Sequence, residues 1–125
     1  MQKLLAAAII CCTTYSGLAT AEVVTPKQFW HQHQQTQQGK ALIVDVRTNQ
    51  EFIDGHLPNA INIPHDDIEQ LEKIAPDKTQ PIFIYCRSGH RASIAEQALK
   101  KQGYENIFNG ESYQALLNAI PISYR

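Results

Sequence analysis

The sequence predicts an α/β domain built on a parallel sheet with helices on both faces. Two continuous apolar, β-branched runs, residues 41–46 and 81–85, read as strands buried on both faces. Helical patterns closed by glycine or proline alternate with them. At 125 residues the chain suffices for one such domain and is too short for two. A composition of 43% hydrophobic residues is ordinary for a globular chain. The net charge of −1 leaves no basic stripe for nucleic acid.

The first twenty-one residues are expected to lie outside that domain. Lys3 forms a minimal positive start, residues 4–12 (LLAAAIICC) are apolar, and Ala19-Thr20-Ala21 offers small residues at a cleavage point. This pattern predicts a secretory leader over 1–21, cut after Ala21, and a domain over 22–125. The apolar run is about half of the ~20 residues a bilayer requires, so a retained span is disfavoured and no membrane association is expected after cleavage. A lipid-anchored start would need a small residue before the cysteine, where Ile10 precedes Cys11 and Cys11 precedes Cys12. In a Gram-negative host the product would be periplasmic. Cleavage removes Cys11 and Cys12 and leaves Cys86 without a disulfide partner, so Cys86 is either buried and inert or reactive and used.

Within the domain, Thr25-Pro26 reads as an N-cap and first helical residue of a helix over 26–37, stopped by Gly39 and anchored by Phe29 and Trp30. The glutamines at 32–38 are its solvated face. After strand 41–46, Thr48-Asn49-Gln50-Glu51 forms a capping box that opens a short helix. Residues 61–63 are a short strand between Pro58 and Pro64, and Asp66 or Asp67 can cap a helix to about Ile74. Strand 81–85 follows, then a helix over 92–101 closed by Gly103. A short strand over 106–108 and a helix over 111–119, ended by Pro121, complete the pattern. Ligands of parallel sheets gather at the carboxyl ends of the strands. Two of the clearest strands end there, at Asp45-Val46-Arg47 and at Tyr85-Cys86-Arg87.

Three features converge on Cys86. A tight loop entering a helix turns backbone N–H groups inward, and Gly89 frees that loop to adopt angles a side chain resists. The helix N-terminus adds partial positive charge. Arg87, His90 and Arg91 place up to three cationic groups within five residues. Each feature favours thiolate, the nucleophilic form, so Cys86 is expected to be reactive.

The segment Tyr85-Cys86-Arg87-Ser88-Gly89-His90-Arg91-Ala92 resembles the active-site loop of the rhodanese family. Asp45-Val46-Arg47 resembles the family's Asp-x-Arg motif, and Glu51-Phe52 with Gly55-His56-Leu57-Pro58 and 60–64 resembles the segment after it. The likeness runs from about Thr25 to Ala119. It implies a central, mostly parallel sheet of about five strands with helices on both faces, and a thiosulfate sulfurtransferase without a cofactor. In that mechanism Cys86 takes a sulfane sulfur from a small anionic donor and passes it to cyanide or a thiol. Cys86 is the implied nucleophile, with Arg87, Ser88, Gly89, His90 and Arg91 forming the substrate loop; Arg91 and the loop amides would hold the anion, with Arg87 at the rim. Two positions depart from the family. Asn59 replaces a glycine, at a turn whose left-handed backbone asparagine tolerates, and Asn109-Gly110-Glu111-Ser112-Tyr113 stands near the expected mouth of the site.

Alternatives differ in chemistry. Cysteine phosphatases and arsenate reductases of this fold place five residues between cysteine and arginine; here four separate Cys86 from Arg91. The shorter loop suits one sulfur atom better than phosphate. A module that carries one sulfur without turnover is the other alternative. Asp45 is expected to fix loops by hydrogen bonds rather than react, and Arg47 to pair with Glu51 four residues on. His56 reads as structural. His31 and His33 lie two apart, too far round a helix to chelate together, so no metal site is expected. Nothing in the pattern specifies an oligomeric state.

Overall fold

The computed structural model describes residues 20–36 and 39–125. Most of the expected leader, including Cys11 and Cys12, lies outside the described residues, as do Gln37, the last residue of the first expected helix, and Gln38. Five strands form one sheet: β1 (Thr20–Val23), β2 (Leu42–Asp45), β3 (Ile61–Asn62), β4 (Ile82–Cys86) and β5 (Asn106–Ser112). Their order is β1-β5-β4-β2-β3, and every pairing is parallel. Parallel pairing requires a crossover between strands, and the helices supply it. They are α1 (Pro26–Gln35), α2 (Asn49–Asp54), α3 (Leu71–Ile74), α4 (His90–Lys101) and α5 (Tyr113–Asn118).

The central strand β4 explains the two-sided core. All five of its residues are buried, and they alternate between faces. Ile82, Ile84 and Cys86 join the cluster that holds Ala92, Ala95 and Leu99 of α4 and Leu71 of α3. Phe83 and Tyr85 join Phe29 and Trp30 of α1 and Leu116 of α5 on the opposite face. Each large apolar side chain so buried contributes roughly 1.5–3 kcal/mol. Trp30 also donates its indole N–H to the Leu116 carbonyl at 2.9 Å, which locks α1 against α5.

Local signals account for most element ends. Thr25 caps α1 with Pro26 inside its first turn, and Gln28 completes a capping box. Thr48 and Glu51 form the expected box at the start of α2. Asn59 takes a left-handed φ of 63°, as its turn requires.

Other ends differ from expectation. Neither Asp66 nor Asp67 caps a helix: a 3-10 segment, His65–Gln70, starts directly after Pro64 without a side-chain cap and leads into α3. β5 runs four residues beyond Phe108, to Ser112. The extension puts Asn109 and Gly110 in the core, where the Asn109 carbonyl accepts from the Val24 amide at 2.9 Å. Ser112 then caps α5, which starts two residues later than the helix expected from 111. β1 has no counterpart among the expected strands. It spans the expected cleavage point, with Thr20 and Ala21 opposite Asn106 and Ile107.

Gly110 is where β5 comes closest to the aromatic core. An added Cβ would lie 2.6 Å from Phe29 Cδ2 and 2.9 Å from Leu116 Cδ1. Replacing Gly110 by Ala is expected to destabilise the domain by about 1–3 kcal/mol through overpacking. Urea unfolding would show this as a lowered midpoint with an unchanged m-value.

Candidate active site

Cys86 ends β4 at the carboxyl edge of the sheet, and a three-residue loop, 87–89, joins it to α4. The loop turns because Gly89 adopts a φ of 108°, a conformation closed to most side chains. This rotation aims the Gly89 N–H at the Cys86 sulfur, at 2.9 Å. Gly89 is also the N-cap of α4 and carries no capping side chain, so the helix begins on bare backbone beside the sulfur. Cys86 itself is 1% exposed. Arg87, Ser88 and His90 are exposed. Of the substrate loop expected from the sequence, Gly89 alone hydrogen-bonds the Cys86 sulfur among the described residues.

The arginines take partners other than those expected. Arg47 pairs with Asp45, not with Glu51. Asp45 Oδ1 accepts from the Arg47 amide at 2.9 Å and from Nε at 3.0 Å, and Oδ2 accepts from Nη2 at 2.6 Å. Glu51 is occupied instead by Arg91, whose two guanidinium nitrogens donate to its oxygens at 2.6 and 3.0 Å. The Arg91 guanidinium therefore braces α4 against α2 rather than standing free over the loop. The physical reason is directional. Glu51 points back along α2 to close its own capping box, where α4 presents Arg91, while the extended chain after β2 folds Arg47 onto Asp45.

These pairings shift proton affinities. Hydrogen bonds from Arg91 hold the Glu51 carboxyl down at about 2, and the Glu51 hydrogen bonds raise Arg91. Burial works against the Arg47 charge, but the Asp45 hydrogen bond and charge outweigh it and raise its pKa. Burial drives the Tyr85 phenol far upward. It stays a neutral hydroxyl that accepts from the Leu57 amide at 3.0 Å.

The Asp45–Arg47 pair organises what surrounds it. Arg47 Nη2 donates to the Gly55 carbonyl at 2.6 Å, and Asn62 Nδ2 bridges the Asp45 and Arg47 carbonyls. The guanidinium lies 4.3 Å from the ring centroid of Tyr113 and 5.6 Å from that of Tyr85. Beyond them opens a cavity of about 460 Å³, lined among others by Arg47, Asp54, Arg87, Tyr113 and Gln114. It is large enough for a small anion or thiol. His56 stacks on Phe52 and hydrogen-bonds its carbonyl, a local turn contact. His31 is exposed, and His33 packs against Phe83, Trp30 and Tyr124, away from this edge.

Tyr113 and Glu111 are the side chains near the site that sequence reasoning did not single out by role. The only signal was their place in the segment that departs from the family pattern. Tyr113 covers Arg47. Glu111 lies over Gly89, its Oε2 2.8 Å from where a Gly89 Cβ would be.

The Glu51–Arg91 pair carries a pH prediction. A carboxyl depressed from 4.5 to about 2 stabilises the fold above its unfolded value, and this contribution is lost as pH falls through about 2. The stability gap between the native protein and Glu51→Gln should be present at pH 7 and shrink between about pH 4.5 and 2. Urea midpoints at pH 7 and pH 3 would measure it; a gap equal at both would refute the assignment.

Comparison with known proteins agrees with this geometry. The family described as "Rhodanese-like domain" matches residues 25–112. Thiosulfate sulfurtransferase GlpE of Haemophilus influenzae is 35% identical over 86 residues, which cover 69% of this chain and 77% of that protein. Adenylyltransferase and sulfurtransferase uba4 of Ogataea parapolymorpha is 38% identical over 64 residues, but the chain covers only 16% of its length. It spans 55% of a further curated relative. Human single-domain sulfurtransferase TSTD1 has the same fold, with a TM-score of 0.67 at 23% identity over 82% of this chain and 100% of the other. With the match extending from the cap of α1 to the end of β5, the chain belongs to the rhodanese-like domain family, and sulfurtransferases are among its relatives.

Proposed function

We propose that this protein is a thiosulfate sulfurtransferase that carries sulfur as a persulfide on Cys86. The observation that carries the reading is the Gly89 amide directed at the Cys86 sulfur, where a central strand gives way to a helix. A buried cysteine held only by apolar neighbours would be inert; a sulfur that accepts an N–H at a helix start has a partner for negative charge. The Cys86 thiolate attacks the outer sulfur of thiosulfate, the donor's S–S bond breaks, and sulfite leaves with the electron pair. Cyanide or a thiolate then attacks the terminal sulfur of the Cys86 persulfide and restores the Cys86 thiolate. Sulfite is stable as an anion, so the departure needs no general acid.

Two further observations support transfer of sulfur over phosphate or arsenate chemistry. The loop has four residues between Cys86 and Arg91, and Arg91 is committed to Glu51 instead of standing free to grip an oxyanion. Arg87, exposed beside the cavity, is the guanidinium at the rim for an incoming donor. Export belongs to the same proposal: residues 4–12 and Ala19-Thr20-Ala21 support a leader cut after Ala21 and a periplasmic product. A cut there would divide β1, leaving Glu22 and Val23 on the edge of β5.

Mass spectrometry of the exported protein after thiosulfate exposure tests both parts. The expected mass begins at Glu22, and one sulfur is added to the peptide that contains Cys86. Cys86→Ser should keep the fold and lose thiosulfate-to-cyanide transfer by at least about a hundredfold, the scale of removing a nucleophile. Transfer retained by Cys86→Ser would end the proposal. Loading of one sulfur without turnover would assign a carrier instead of an enzyme.

A further inference from the structure

The charges around Cys86 are more evenly balanced than its neighbours in sequence suggest. Arg47 is neutralised by Asp45 and Arg91 by Glu51, each with a contact of 2.6 Å. Arg87 remains on one side of the loop, exposed at the cavity. Glu111 lies against Gly89.

The backbone forces Glu111 into that position. Between β4 and β5 the register passes from Ile84 opposite Asn109 to Cys86 opposite Ser112, so two steps on β4 meet three on β5. The extra residue makes a bulge, a device that re-aims side chains beside active sites. Within the bulge Glu111 takes a φ of 63°, strained for a residue other than glycine or asparagine. Asn109 Oδ1 accepts the Glu111 amide at 2.9 Å and holds the turn. The side chain is thereby laid across Gly89, where even a methyl group would collide with its Oε2 at 2.8 Å. No ion pair engages this carboxylate among the described residues. Its field is felt nearby: burial raises the pKa of Glu96 on α4, and the Glu111 charge raises it further.

A bulge, a left-handed glutamate and a glycine that leaves room for it together place one negative charge against Gly89, the residue whose amide faces the sulfur. We infer that Glu111 is a specificity-determining residue that selects reagents at Cys86 by charge, disfavouring anions relative to neutral molecules. The inference rests on Cys86 being the reacting sulfur and deepens the transfer reading. Thiosulfate, a dianion, would be admitted less readily than a sulfur donor of lower charge.

The test compares alkylation of Cys86 in the full chain by neutral iodoacetamide and anionic iodoacetate, followed on the Cys86 peptide by mass spectrometry. In both reactions the thiolate forms an S–C bond and iodide leaves, so the reagents differ chiefly in charge. Glu111→Gln removes the charge and keeps the length of the side chain. It should raise the iodoacetate rate relative to iodoacetamide by about three- to tenfold, the effect of one nearby charge in a partly solvated site. The gain should shrink in about 1 M salt. Glu111→Asn, which tolerates the left-handed backbone, should shift the ratio the same way and serves if Glu111→Gln folds poorly. A purely structural role, or a change in thiol ionisation alone, would move both rates together and overturn the inference. So would an unchanged ratio, or a native Cys86 that neither reagent reaches. A shifted ratio with no sulfur gained from thiosulfate would sink the transfer reading while leaving charge selection in place.

Discussion

The buried pair of Asp45 and Arg47 is the contact on which the rest of this sheet edge depends. Asp45 is 0% exposed and Arg47 5%, so neither charge can be left to water. Removing one partner of such a pair typically costs about 3–5 kcal/mol, because the other charge stays behind unmatched. The geometry explains why the pair is tolerated. The carboxylate receives a backbone amide as well as the guanidinium, and the guanidinium still reaches the Gly55 carbonyl. Through these bonds the end of β2, the turn after α2 and the first residue of α5, Tyr113, are held in one arrangement.

That arrangement governs how charge is distributed around the sulfur. Three arginines lie near the carboxyl ends of β2 and β4, yet two are bound to carboxylates and act as braces. Arg91 ties α4, which begins at the Cys86 loop, to α2. Arg47 ties β2 to the cavity wall. What addresses the sulfur directly is a neutral group, the Gly89 amide, whose dipole is fixed in place by the fold. A fixed dipole needs no reorganisation and no counter-ion, whereas a free guanidinium would bind any anion. The proposed chemistry asks for such a site, since it must accept a sulfur atom and then release it.

Much of this is legible in the sequence. Pro26, Thr48, Gly103 and the two apolar runs mark elements whose ends are set by local hydrogen bonding and chain stiffness. The Cys86 loop could be placed because a strand, a glycine and a helix start lie within a few residues of one another. β1 was not legible: four residues with largely exposed side chains carry no periodicity, and their strand exists only because the β5 edge offers its hydrogen bonds. The length of β5 was hidden for a similar reason. Asn109 and Gly110 fell between an expected strand and an expected helix, and become strand where only a glycine can pass so close to Phe29 and Leu116.

The layered α/β architecture and the cysteine at the end of a buried strand could be read from residue patterns alone, because patterns only a few residues long are governed by backbone preference and burial. The family came from the likeness of the Cys86 loop and of Asp45-Val46-Arg47 to known motifs. The tertiary structure decided which carboxylate meets which guanidinium, where Tyr113 lies, and that Glu111 covers Gly89. Those outcomes depend on how far apart β2, β4, α2 and β5 lie and at what angles. A charge takes the partner that packing brings within about 3 Å, not the one nearest along the chain.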